Sequence, residues 1–306
     1  MAQLPKRAKV VIIGQGGIVG SSVAHHLIEQ GWDDIVGLEK SAIPSDIGST
    51  SHASDFCFTT SHDKLNIYTT KYSQAFYEKR GNYVKCGGME VARVDDDERM
   101  DELRRKVGSG KAFGTNVSMI SPQQAKELFP LLNEDCIQGA MWDPDAGLVV
   151  PRSQSVAGDL VEEAIATGKL QAFAYTPAIR IDVQDGQVRG VETHKGYIET
   201  EYVVLSMGIW GPLMANTANS PLPLMPLEHP LLFFGPYEEL AGTGKQIVYP
   251  LFRDQGNSAY VRDTGDPTTT EGGRIEWGYY EAEDPRLVYP GAISEPGEAR
   301  MSPSMR

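Results

Sequence analysis

The sequence predicts an α/β part and an α+β part in one chain: a Rossmann-like dinucleotide-binding domain interleaved with a mostly antiparallel β-sheet domain. Three observations predict it. Residues 10–13 are all apolar and run into a turn carrying Gly14, Gly16, Gly17 and Gly20. A helix-like stretch, 21–30, follows and is closed by Gly31, and a second apolar stretch, 34–39, ends on Glu39. From Pro221 onward the pattern changes to longer β-like runs at 224–234, 246–252, 258–262 and 274–280. The order of these patterns assigns 1–80 and 140–215 to the first domain, 81–139 and 216–295 to the second, and 296–306 to a solvated tail. No internal repeat or low-complexity linker separates them.

The first stretch carries chemistry. Glycines let the backbone approach a pyrophosphate closely, and the following helix N-terminus offers free N–H groups and partial positive charge to the anion. Glu39 stands about 20 residues past the glycines, where a carboxylate would hold a ribose 2′-hydroxyl. It disfavours a 2′-phosphate, so the expected ligand is NAD or FAD, not NADP. The spacing departs from G-x-G-x-x-G: Gly14 and Gly16 pair correctly, but Gly20 comes one residue late. One extra residue sits in the turn. An ordinary βαβ unit with a glycine-rich turn is the plainer alternative.

At 306 residues there is room for about two domains with real cores. The net charge of −13 argues against nucleic acid or an anionic membrane as partner. Cys57, Cys86 and Cys136 stand far apart without a C-x-x-C pair, so they read as reduced residues of a cytoplasmic-type compartment, with no metal site. No run of 18 apolar residues is present, and residues 1–9 are too short for a leader before the first strand.

The remaining elements follow in order. Residues 40–48 read as a loop, and 49–56 are small and polar without a helix or strand period. Ser61 and Asp63 open a helix whose apolar face is expected at Leu65, Tyr68, Tyr72 and Phe76, with Gly81 closing it behind Lys79 and Arg80. Residues 86–92 read as a strand entered through two glycines. Residues 95–107 read as a charged helix with acidic residues in its first turn. Ser121, Pro122 and Gln124 form a capped helix start. Residues 153–167 form an amphipathic helix with Val156, Ala157, Leu160, Ala164 and Ile165 inward. Asp185-Gly186 and Lys195-Gly196 are hairpin signals, and 202–208 read as a buried strand ending on Gly208.

Taken together, residues 10–20, 48–53, 87–92, 143–147 and 203–210 resemble the FAD-dependent amine oxidoreductases of the D-amino-acid oxidase fold, in the branch of sarcosine and dimethylglycine dehydrogenases and oxidases. The likeness covers essentially the whole chain, and the Gly-Ser-Thr-x-His-Ala segment at 48–53 is its most specific mark. It implies an FAD cofactor carried covalently through the 8α-methyl group by His52, or else a histidine that merely hydrogen-bonds beside the flavin. It implies Ser49, Thr50 and Ser51 along the pyrophosphate and ribityl chain, Glu39 and Lys40 at the adenosine ribose, the Ala178 backbone at adenine, and Gly208 where the backbone passes the dinucleotide.

For catalysis the resemblance implies a histidine and a tyrosine on the sheet of the substrate domain. His229 is the candidate to take a proton from a substrate ammonium, and Tyr260 to hold the substrate carboxylate or relay that proton. Tyr279 and Tyr280 compete with Tyr260, and Arg262 is read as a surface residue rather than a carboxylate clamp. The implied reaction is oxidative N-demethylation of a small N-methylated amino acid, with oxygen or an electron-carrier protein as acceptor. The family's usual C-terminal segment is not recognisable here, so the chain is expected to be truncated. That motivates a second reading, a degenerate homologue that folds and binds FAD without catalysis. A third, an NAD-linked dehydrogenase, is disfavoured because only one nucleotide-binding βαβ unit is visible.

Overall fold

The computed structural model describes residues 3–59, 61–268, 272–281 and 287. The expected tail at 296–306 lies outside them. Contacts divide the chain into two compact units, one of Met1–Ala53 and Arg152–Glu228, the other of Ser54–Pro151 and His229–Pro285. The sequence patterns place these crossings near 80, 140 and 215. Helix Lys64–Arg80 accounts for the first difference. Its Gln74 amide donates to Tyr83 Oη at 3.0 Å and to the Asp145 carbonyl at 3.1 Å, both in the second unit.

The first unit is built on a parallel sheet in the order Tyr202–Leu205, Val10–Ile13, Ile35–Leu38, Leu170–Phe173. Val10–Ile13 is buried on both faces, which is why it reads as an unbroken apolar run. Val10 and Ile12 face helices Ile18–Glu29 and Ser153–Ala166 through Ala24, Val161 and Ala164. Val11 and Ile13 face the other way, onto Ala178, Ile181, Val191, Ile198 and Met214. Four of those five belong to the antiparallel strands Ala178–Gln184, Gln187–Thr193 and Gly196–Glu199. The period of two along one strand thus decides which layer each side chain joins. The 202–208 stretch corrects the expectation of burial. Only Tyr202–Leu205 is strand, it lies at the sheet edge, and Tyr202 is exposed.

Helix Ser153–Ala166 buries Val156, Ala157, Leu160, Val161 and Ala164. Ile165 is exposed, contrary to expectation, because it falls beside the buried stripe and Val161 takes the inward place.

The second unit holds a seven-stranded sheet in the order Leu231–Phe234, Ile275–Tyr279, Ala259–Asp263, Leu251–Asp254, Gly88–Arg93, Ile137–Asp143, Ser118–Ile120. Neighbours run antiparallel except Leu251–Asp254 beside Gly88–Arg93, which is parallel. The long run at 224–234 forms a strand only over its last four residues.

The expected apolar face of helix Lys64–Arg80 is also corrected. Leu65, Tyr68 and Tyr72 are exposed, and Ile67 and Gln74 are buried. Gln74 can be buried because its amide nitrogen finds acceptors in Tyr83 Oη and the Asp145 carbonyl, which a hydrophobicity pattern does not register. Two caps match their sequence signals: Asp63 accepts from Asn66 N–H, and Ser121 with Gln124 closes a capping box. The charged helix runs Asp97–Ala112, so Asp96, expected in its first turn, is instead its cap and accepts from Arg99 N–H. No helix among the described residues is long and apolar enough to cross a membrane.

Candidate functional site

The glycine turn of the first unit is made of close approaches. Gly14 has φ +93°, and a Cβ there would fall 2.3 Å from the Ser206 carbonyl oxygen. A Cβ at Gly20 would fall 2.1 Å from the Gly14 carbonyl oxygen, so only glycine lets helix Ile18–Glu29 seat on the turn. Gly16 donates its N–H to Glu39 Oε2 at 3.0 Å, and a Cβ there would lie 2.9 Å from Ser45 N. Gly17 differs, since the nearest atom to a Cβ would be Thr50 Oγ1 at an ordinary 3.5 Å. Gln15 is the extra residue of the turn. Its side chain is fully buried over Gly37, where a Cβ would fall 2.5 Å from the Gln15 chain. An otherwise unremarkable glycine in the second strand therefore makes room for the insertion.

These parts enclose one side of a cavity of about 350 Å³. Gly14, Gly17, Glu39, Lys40, Ser49, Thr50, Ala178 and Gly208 all line it. Thr50 Oγ1 accepts from Ile18 N–H at 3.1 Å. Val19 and Gly20 open the same helix and have no intrahelical acceptor for their N–H groups. Glu39 is buried, and its Oε1 accepts from Ser41 N–H at 3.1 Å and from Ser41 Oγ at 3.2 Å. Gly208 has φ +53°, a conformation that favours glycine.

Ser51 and His52 stand beside the cavity wall, not in it. Ser51 Oγ donates to the Gly48 carbonyl at 3.1 Å, and His52 Nδ1 lies 2.8 Å from the same oxygen. A carbonyl only accepts, so Nδ1 carries the proton and the exposed Nε2 keeps its lone pair.

Thr176, Ser206 and Trp210 are among the lining residues that the sequence did not single out. Lys40 Nζ sits 3.4 Å from the centroid of the Trp210 ring. Among the described residues it has no hydrogen-bond partner, and neither Trp210 Nε1 nor Ser206 Oγ has one. Burial pulls the Lys40 ammonium down to about 8, opposed by the Glu39 carboxylate. Ser206 and Trp210 fall inside the 203–210 motif, but only the fold shows that Trp210 meets Lys40. Thr176 also lines the cavity and receives a 2.7 Å bond from Lys195.

The second unit carries the two residues expected to do the catalysis. Tyr260 lies on Ala259–Asp263 opposite Gly278. A Cβ on Gly278 would fall 1.9 Å from Tyr260 Cζ, so the tyrosine ring lies across the glycine. His229 lies two residues before its strand, not on it. Its ring meets Tyr280 edge-on with centroids 4.7 Å apart, and Tyr280 meets Tyr260 at 5.6 Å. Tyr279 pairs with Ala259, which alternation places on the opposite face from Tyr260. Of the competing tyrosines, Tyr280 is thus the one in this cluster.

Arg262 corrects the expectation of a surface residue. It is buried, with Nη2 2.8 Å from Glu276 Oε2. Burial pushes the Glu276 carboxyl up, and Arg262 opposes it. Among the described residues, no group of three His, Cys, Asp or Glu side chains is placed to hold a metal ion.

The family described as FAD dependent oxidoreductase (DAO) matches residues 9–302 of this chain. The chain belongs to this family. It is 34% identical over 85% of its length to the mitochondrial pyruvate dehydrogenase phosphatase regulatory subunit of Mus musculus. It is 29% identical over 88% of its length to the mitochondrial sarcosine dehydrogenase of Homo sapiens. The chain spans 29% of the length of each of these relatives. Among solved structures, L-proline dehydrogenase from P. horikoshii superposes with a TM-score of 0.78 and 25% identity, covering 94% of this chain and 72% of that one.

The lining of this DAO-family chain's cavity suits FAD. Three buried donors, Lys40 Nζ, Ser206 Oγ and Trp210 Nε1, await acceptors, and a diphosphate with two polyhydroxylated arms is rich in them. A Cβ at Gly208 would meet nothing within 4 Å, so glycine there leaves open space that a side chain would fill.

Proposed function

We propose that this chain takes part in FAD-dependent oxidative N-demethylation of a small N-methylated amino acid of the sarcosine or dimethylglycine kind. The observation that carries the cofactor half is the cavity with its three partnerless donors beside the glycine turn. The substrate half is supported by the name of the sarcosine dehydrogenase relative and by the His229–Tyr280–Tyr260 cluster.

Gly14, Gly16, Gly17 and Gly20 hold the turn against the pyrophosphate. Glu39 and Lys40 hold the adenosine ribose, the Ala178 backbone meets adenine, and Ser49, Thr50 and Gly208 line the path between. Ser51 holds the Gly48 carbonyl that orients His52, and His52 is the covalent attachment point, because its Nε2 lone pair is exposed. When bound, FAD supplies the hydride acceptor that an unactivated amine C–H bond needs. His229 takes the proton from the substrate ammonium, so that a neutral amine with a free lone pair is what reacts. Tyr260 holds the substrate carboxylate. Arg262 is already occupied by Glu276. The oxidised substrate is an iminium, which water splits into formaldehyde and the demethylated amine. Oxygen or an electron-carrier protein then takes the electrons.

The test is the visible spectrum of the purified chain, then acid precipitation, in-gel fluorescence and formaldehyde release from sarcosine and dimethylglycine. A yellow band that stays fluorescent after denaturation is expected, with His52→Ala freeing the flavin. Colour that washes out would sink the covalent role. A second reading, FAD binding without catalysis, is favoured by one observation: the relative at 34% identity is named a regulatory subunit. Yellow protein that releases no formaldehyde from any N-methylated amine would select it.

A further inference from the structure

Glu281 lies beyond the last strand of the second unit, with Oε2 3.1 Å from His229 Nδ1. Its carboxyl is held below the usual carboxylate range by its own backbone N–H and by the His229 imidazole. An ionised carboxylate only accepts, so the imidazole must donate from Nδ1. The lone pair of the neutral ring is then on Nε2. Tyr280 adds a second constraint, since its ring packs edge-on against the histidine and limits rotation about the last side-chain bond. A histidine used as a base needs both its tautomer and its ring plane fixed, and a carboxylate behind it does both.

We propose that Glu281 is the positioning residue of His229, locking the Nδ1–H tautomer so that Nε2 is the proton-accepting atom. The inference rests on the reading of His229 as the base, and it makes a structural claim that stands apart from turnover. Glu281 is partly exposed at the end of its strand, so its substitution leaves the sheet intact.

The experiment is nitrogen-15 NMR of the histidine-labelled full chain, with His229 assigned by loss of its signals in His229→Asn. Wild type is expected to show His229 predominantly as the Nδ1–H tautomer at alkaline pH. Glu281→Ala is expected to shift it to the Nε2–H form that a free imidazole prefers. Glu281→Gln keeps an acceptor and is expected to retain most of the native tautomer. In parallel, kcat on the N-methylated amine should fall about tenfold or more in Glu281→Ala, with KM nearly unchanged and partial rescue in Glu281→Gln. A wild-type Nε2–H tautomer, or a tautomer indifferent to Glu281→Ala, overturns the proposal. If wild type oxidises no amine while the tautomer responds as stated, the demethylation reading fails and the placement of His229 by Glu281 stands.

Discussion

Lys40 shows how much one residue can carry. Its ammonium is partly buried over Trp210, and burial lowers it to about 8 from an ordinary value of 10.5. Below pH 8 the lysine is charged in both folded and unfolded chains, and the folded protein bears the full penalty of that charge. As pH rises from about 8 to 10.5 the folded state sheds its proton first, so the penalty fades and stability rises. A bound anion works against this loss by favouring the charged form. FAD binding at pH 8 should therefore take up a fraction of a proton, and Lys40→Met should abolish the uptake and weaken binding. Calorimetry in two buffers of different ionisation enthalpy measures both. Gly278 makes a comparable residue-scale case in the second unit. The Gly278→Ala methyl would collide with the Tyr260 ring, so turnover should fall while FAD absorbance is retained. Equal turnover by the variant would remove Tyr260 from the reaction.

At the scale of the element, the glycine turn and the helix after it act as one piece. Gly20→Ala forces the helix off the Gly14 carbonyl, and loss of FAD binding is the expected result, read as loss of visible absorbance after gel filtration. Helix Ser153–Ala166 tests where the core lies. Leu160 is almost wholly buried and Ile165 is exposed. Leu160→Ala should cost about 2–5 kcal/mol in denaturant unfolding, and Ile165→Ala roughly 0.5 kcal/mol or less. The helix period alone admitted both residues to the inner face. The packing of Val161 against Val10 and Ile35 decided between them.

At the scale of the whole molecule, the net charge of −13 opposes a cofactor that is itself an anion. A helix N-terminus and one buried lysine offset that repulsion locally. FAD at about 100 times its dissociation constant should stabilise the folded chain by about 2.7 kcal/mol. A thermal melt with and without FAD measures this, and an unchanged midpoint would count against the cavity as its site.

The strand–turn–helix at Val10–Glu29, the acidic end of the second strand, two helix caps and the interleaving of two β-rich parts are legible in the sequence. These are local signals: an apolar run, a glycine where no Cβ fits, a carboxylate or hydroxyl one turn before its N–H. The sequence also carried the family, because the glycines and the 48–53 segment are contiguous. Contacts between distant residues came from the fold. It placed Gly37 under Gln15 and Trp210 against Lys40, buried Arg262 on Glu276, and set Glu281 behind His229. Each of these contacts joins positions from 14 to 170 residues apart, a separation over which no periodicity or turn rule acts.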